Sequence, residues 1–285
     1  EDAGILTRIQ GSGTTISTHL SGNTEKPREV ALISAQLDPF SVEFVAATET
    51  ALSKQNVLLV LKITESREDE QRAVIDAMAQ GVRNFVIWPQ GRGNLAELTL
   101  RLRVLGANMV FFDRVLPGDG ADFVGLDNAH AMGLLVDHAI ESGCSKLVFV
   151  QHTDTPMDSD RDRQERFETL CRKRGLDHDI HSLPRVGDRV PRARAMLEDC
   201  RAGQREQTAF VCVNDSMALT LRKIDPALPH LYGIDGLVQP VDQITTVRQP
   251  LGKMAEKAVG LLFKQQRLGN AWKAGKVRMQ GELVE

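Results

Sequence analysis

Beginning at Arg28, short runs of strand-forming apolar residues alternate with stretches whose apolar residues recur at helical spacing. The alternation continues almost to the end of the chain. Apolar strands joined by helices belong to parallel sheets covered on both faces. REVALIS (28–34), VLLVLKI (57–63), FVIWP (85–89) and MVFFDR (109–114) read as strands. Between them SVEFVAATETALSKQ (41–55), REDEQRAVIDAMAQG (67–81) and NLAELTLRLRVLG (94–106) read as helices. The acidic first turn and closing glycine of 67–81 are what the helix dipole and C-cap favour. After DFVGLDN the rhythm restarts with helix 128–143, strand 146–152, helix 162–175, strand HDIHSL, helix PRARAMLEDCRAG, strand TAFVCVN and helix DSMALTLRKI. Strands YGID (232–235) and ITTVRQP (244–250) and helix LGKMAEKAVGLLFKQQ (251–266) complete it. About ten such units exceed one doubly wound sheet, so the fold expected is α/β, with two successive doubly wound parallel-sheet lobes.

Composition excludes several classes. An apolar fraction of 42% and a charged fraction of 26% describe a soluble globular protein. Runs such as Met109 to Phe112 and Lys146 to Val150 are too short to cross a bilayer. No basic region followed by an apolar segment opens the chain, so no signal peptide is read there. Cys144, Cys171, Cys200 and Cys212 are scattered without a CxxC pair, which favours reduced, buried thiols and a cytoplasmic setting. A net charge of −3 lacks the basic excess of a nucleic-acid-binding surface. No GxSxG, HExxH or Cys/His/Asn grouping appears, so no enzyme activity, cofactor or metal is expected.

In doubly wound sheets ligands bind beyond the carboxyl ends of the strands. Asp38 and Phe40 follow the first strand, Trp88 the third, and Asp113 with Arg114 the fourth. Arg163 opens the helix after KLVFVQH; Asn214 and Asp215 follow AFVCV; Asp235 ends YGID and Gln249 follows ITTVR. Carboxylates, amides, two arginines and an aromatic ring are expected to converge on one crevice. Such fixed acceptors and bidentate donors around an aromatic face suit a neutral polyhydroxylated ligand. Phe40 is the expected stacking ring; Trp88 is read either as a second lining ring or as core.

The ordered motifs VALISAQLDPF, VFFDR then VGLDN, DRQERF, VNDSMAL, YGIDG and ITTVRQPLGKMAEKAV carry a resemblance. From about Val30 to Val284 the chain resembles type I periplasmic sugar-binding proteins and the effector domains of the lactose/galactose repressor (LacI/GalR) family. The resemblance implies two lobes around a ligand cleft, about 30–143 with 249–268 and about 144–248 with 269–285. It also implies a homodimer paired through helices 67–81 and 94–106. Phe40 matches an aromatic that stacks on the sugar ring, and Asp113–Arg114 a pair that grips ring hydroxyls. Arg163 matches an arginine closing from the second lobe, and Asn214, Asp235 and Gln249 match the remaining polar contacts. Asp38 stands where ribose-binding relatives usually have asparagine, Ser41 where a second aromatic is common, and Ile234 where phenylalanine is. The latter two departures point away from ribose while keeping a sugar-like ligand.

EDAGILTRIQGSGTTIS (1–17) resembles the last helix residues and wing of a GntR-type winged helix, with Arg8, Gln10, Gly11 and Gly13 as wing residues toward DNA. Residues 1–18 then form a remnant of a DNA-binding domain and 19–29 a linker. The combination resembles the arabinose-repressor class: a sugar-sensing effector domain that modulates operator binding through residues upstream of Glu1. The alternative is a periplasmic sugar-binding component of a transporter. DSDRDR (158–163) alternates aspartates like a calcium loop, but Arg163 stands at its glycine position and Thr169 at its glutamate position. Solvated helix-start charges are the better reading. His178 and His181 fall in an expected strand and read as surface residues.

Overall fold

The computed structural model describes residues 6–9, 13–16, 27–35, 37–90, 95–153, 158–184, 187–201 and 207–285. At the front, β1 (Leu6–Ile9) pairs antiparallel with β2 (Gly13–Ile16), Leu6 opposite Ile16 and Ile9 opposite Gly13. Gln10 and Gly11 of the expected wing, and residues 19–26 of the expected linker, lie outside the described residues. The chain divides into two compact units, Glu1–Gly125 with Leu251–Val277 and Leu126–Pro250 with Arg278–Glu285.

In the first unit β3 (Glu29–Ser34), α1 (Pro39–Ser53), β4 (Leu58–Ile63), α2 (Arg67–Ala79), β5 (Asn84–Ile87), α3 (Leu95–Val104), β6 (Asn108–Phe112) and β7 (Asp122–Leu126) follow in turn. Alternate side chains of these strands point to opposite faces. Ala31, Ile33, Phe85, Ile87, Met109 and Phe111 form one buried cluster with Val74, Ala77 and Met78 of α2 and Leu95 and Leu102 of α3. On the other face Phe112 stacks on Phe44 of α1, with centroids 3.5 Å apart. This two-sided burial is why the strands carry no polar alternation.

The second unit repeats the pattern with α4 (Asn128–Glu141), β8 (Lys146–His152), α5 (Asp158–Arg174), β9 (Asp177–Leu183), α6 (Arg189–Arg201), β10 (Thr208–Cys212), α7 (Asp215–Ile224), β11 (His230–Asp235) and β12 (Thr245–Arg248). α8 (Leu251–Leu268), β13 (Lys276–Met279) and β14 (Glu282–Val284) end the chain. The first sheet has order β4-β3-β5-β6-β7-β13 and the second β9-β8-β10-β11-β12-β14. Counted along each unit, both begin second-first-third-fourth-fifth, with parallel pairing among those strands. β14 closes its sheet antiparallel to β12. In this order the direction of travel reverses beside β3 and beside β8, the switch points where crevices open.

Three expectations are corrected. The chain leaves the first unit after Gly125, not after residue 143. DFVGL is the fifth strand of the first sheet, and α4 packs on α5, β11, β12 and β14 of the second unit. Residues 269–277 stay with the first unit, because Asp122 accepts hydrogen bonds from Trp272 Nε1 (3.1 Å) and the Gly275 N–H (2.6 Å). Finally, β4 is not covered: as an outer strand it leaves Leu58 71% and Ile63 45% exposed.

Candidate functional site

Each candidate side chain of the first unit follows the carboxyl end of a strand. Beyond β3, Asp38 is the N-cap of α1: its Oδ1 accepts the Ser41 N–H at 2.8 Å while its own N–H donates to Ser41 Oγ at 2.7 Å. A buried serine closing this capping box stabilises the helix start, which explains a hydroxyl at 41 instead of a ring. Phe40 is buried, edge-on to Trp88 (5.4 Å) and stacked on Phe112 (6.4 Å). Trp88, half-buried, sets its edge against Phe112 and donates from Nε1 to Asp113 Oδ2 at 3.3 Å. The Arg114 guanidinium sits 5.4 Å from the Trp88 ring, donates to the Pro89 carbonyl at 2.6 Å and lies 3.8 Å from the Asp113 carboxylate. Phe40, Trp88, Asp113 and Arg114 therefore form one cluster. Asp113 adopts φ 63°, a left-handed conformation that costs a side-chain-bearing residue of order 1–2 kcal/mol.

In the second unit Arg163 is buried, with 4% of its surface exposed. Its Nε donates to Asn128 Oδ1 (3.1 Å) and one terminal nitrogen to the Val213 carbonyl (2.7 Å). The next residue, Asn214, caps α7 by accepting the Met217 N–H at 3.0 Å. Asp235, at φ 137°, accepts from Gln249 Nε2 at 2.9 Å. Gln249 is buried, and its Oε1 has no hydrogen-bond partner among the described residues. A buried acceptor left unsatisfied costs about 1–3 kcal/mol unless something donates to it. Strained φ values at Asp113 and Asp235, in corresponding fourth-strand positions of the two sheets, are the kind of backbone outlier that gathers at functional sites.

Two buried carboxylates hold these groups: Asp215, which the sequence shows only as following AFVCV, and Glu70, which it does not single out. Asp215, fully buried, accepts from Thr246 Oγ1 (2.6 Å) and the Leu237 N–H (2.7 Å) and so ties the turn after Asp235 to α7. Burial pushes its carboxyl upward against those bonds and the Arg163 charge. A Cβ at Gly233 would collide with the Asp215 carboxylate, which is why YGID needs its glycine. Glu70 of α2 is also buried; its Oε2 accepts the Gln90 N–H at 2.7 Å, and burial pushes its pKa up to about 7. Its place in an acidic helix start reads from sequence as ordinary dipole compensation.

The chemistry of both sets is hydrogen bonding: carboxylates and amides that accept, arginines that donate, and aromatic rings. Among the described residues no group of three or more His, Cys, Asp or Glu could hold a metal ion, and no helix is long and apolar enough to cross a membrane. Cys144, Cys171 and Cys212 are buried free thiols, and Cys200 is a partly exposed one. DSDRDR lies at the start of α5, and His178 and His181 lie half-buried on β9.

Residues 136–285 match the family model described as a periplasmic binding protein-like domain. The chain belongs to that family. Among its relatives is the HTH-type transcriptional regulator PtxS of Pseudomonas plecoglossicida, 26% identical over 91% of this chain and 77% of that protein. The arabinose metabolism transcriptional repressor of Geobacillus stearothermophilus is 22% identical over 100% of this chain and 83% of the repressor. In fold, the chain is similar to a LacI family transcriptional regulator from Enterococcus faecium with bound ribose. The TM-score is 0.74 at 17% identity, over 90% of this chain and 97% of that one. In this periplasmic binding protein-like chain the doubly wound order occurs twice, and each copy carries its own strand-end polar set.

Proposed function

We propose that this chain is the effector-binding part of a bacterial, cytoplasmic transcriptional regulator, a repressor, that senses a sugar or related polyol and thereby modulates operator binding. The observation that carries this is the pair of strand-end sets, Asp113–Arg114 with Phe40 and Trp88 in one unit and Arg163, Asn214, Asp235 and Gln249 in the other. They offer hydrogen-bonding groups and rings without a nucleophile–base pair. Each set offers groups suited to a neutral polyhydroxylated ligand, with Asp38 contributing to the first through the start of α1. Donors on the ligand satisfy the Gln249 acceptor and the carboxylates, and the guanidinium groups donate back. The ligand shifts the protein between conformations only by its differential affinity for them. Relatives that are transcriptional regulators favour this function over that of a transporter's binding protein.

The hairpin β1–β2 is the wing of a GntR-type DNA reader, and Arg8, Gln10, Gly11 and Gly13 are the residues proposed for DNA binding. Support comes from its antiparallel pairing and from an arabinose-repressor relative whose match spans the whole chain. The regulator works as a homodimer. The pairing surface includes the outer strand β4, which leaves Leu58, Leu61 and Ile63 exposed, as is Ile75 of α2. Val74, Ala77 and Met78, the apolar face of α2, are buried in their own unit's core.

A thermal-shift screen against pentoses, hexoses and sugar alcohols tests the proposal, since a ligand of the folded state stabilises it by RT ln(1 + [L]/Kd). At least one sugar raises the unfolding temperature, and the rise is lost in Arg163→Ala and Asp235→Ala. A screen in which no sugar or polyol has any effect overturns the function.

A further inference from the structure

The Pro89–Gln90 peptide group is gripped at both ends by charge. Its N–H, from Gln90, points at Glu70 Oε2 (2.7 Å), and its C=O, from Pro89, accepts from Arg114 (2.6 Å). A carboxylate on the N–H side and a guanidinium on the C=O side both lie along the peptide dipole. Each strengthens the other's hydrogen bond by polarising the group between them. The segment is further pinned by Gln90 Nε2, which donates to Thr64 Oγ1 (2.7 Å) and the Thr64 carbonyl (2.9 Å), and by the Trp88 N–H on the Ile33 carbonyl (2.9 Å).

We infer that Glu70 is a proton-responsive positioning residue, acting through this peptide to hold Arg114 and Trp88, so that losing its charge loosens the first unit's ligand-binding set. Its bearing on ligand affinity rests on the sugar-binding function proposed above; the positioning itself does not. Two opposing effects make the group responsive. Glu70 is only 2% exposed, so burial favours its neutral form, while the Gln90 N–H and two facing cations, Arg114 beyond β6 and Arg67 on its own helix, favour the charged one. The balance puts its pKa at about 7, close to ordinary working conditions. Every histidine among the described residues lies in the other unit.

The chain has two tryptophans, so ¹⁵N-indole labelling of the full chain gives two signals. Trp272→Phe assigns them, or Trp88→Phe if the first variant does not fold. Because the Trp88 indole donates to Asp113 beside Arg114, its signal reports on the gripped segment. The Trp88 signal should titrate with a midpoint near 7 and stand still in Glu70→Gln, which keeps the acceptor and the volume but not the charge. A static Trp88 signal, or the same titration in Glu70→Gln, overturns the inference. Calorimetry with D-ribose and D-glucose, together with any sugar found by the thermal-shift screen, supplies the second arm. Affinity should be roughly tenfold higher at about pH 8 than at about pH 6, equivalent to one pKa unit of linkage, and pH-independent in Glu70→Gln. A sugar bound equally well at both values overturns the link to ligand. If no sugar binds at either, the proposed function fails while a Glu70-dependent Trp88 titration still upholds the positioning role.

Discussion

At the scale of single residues, the candidate site combines backbone strain with buried charge. Asp113 holds φ 63°, a conformation glycine adopts freely and alanine does not. Asp113→Gly should therefore be more stable than Asp113→Ala by about 1 kcal/mol in urea unfolding. Both should lose ligand, which separates the strain from the carboxylate's function. Arg163 is different in kind. Its removal leaves Asn128 Oδ1 and the Val213 carbonyl without their donor and Asp215 without its facing cation. Arg163→Ala should cost about 2–4 kcal/mol of folding stability and a comparable amount of ligand affinity. Arg163→Lys should recover little of either, because a point-charge ammonium cannot reach both acceptors with the planar fork of a guanidinium. Unfolding and calorimetry on the same three proteins decide it.

Among the elements, α2 carries the least expected energetics. Its first turn holds Glu68, Asp69 and Glu70, all suited to the helix dipole, yet Glu70 alone is buried. With its pKa raised from 4.5 to about 7, the folded chain binds more protons than the unfolded one between those values. Stability contributed by this site is therefore full below about pH 4.5 and falls as pH rises toward 7. Glu70→Gln removes that dependence. The stability of the variant relative to the unmodified chain should rise between about pH 5 and about pH 8 by an amount on the order of 2–3 kcal/mol. Urea denaturation at both values measures it, and a pH-independent difference would place the charge in contact with water.

For the molecule as a whole, the exposure of the outer strand β4, on both of its faces, is the feature with the largest consequence. A strand at a sheet edge presents unpaired backbone groups, and here it also exposes Leu58, Leu61 and Ile63. Pairing of two copies across this strand would remove apolar area worth about 1.5–3 kcal/mol for each large side chain fully covered. Leu58→Asp with Ile63→Lys should therefore weaken the dimer by roughly a hundredfold or more. The first unit's fold should stay intact, since neither side chain contributes to its core. Sedimentation equilibrium of the double variant and the unmodified chain tests this; equal association in both would move the interface elsewhere.

The alternation of apolar strands with helices was sufficient for two doubly wound parallel sheets, because a strand covered on both faces must be apolar throughout. The strand-end rule makes Asp113, Arg114 and Asp235 candidates, and they stand at the carboxyl ends of β6 and β11, whereas Arg163 lies within α5, beyond the reach of that rule. Tertiary structure alone decided three things. It gave α4 to the second unit and β13 to the first, because those choices rest on which surfaces pack together and not on local pattern. It left β4 bare, although VLLVLKI reads like any buried strand, because strand order makes it an outer strand. It buried Glu70 and Asp215, whose sequence contexts match solvated helix starts; only the fold determines which carboxylate near a helix N-terminus loses its water.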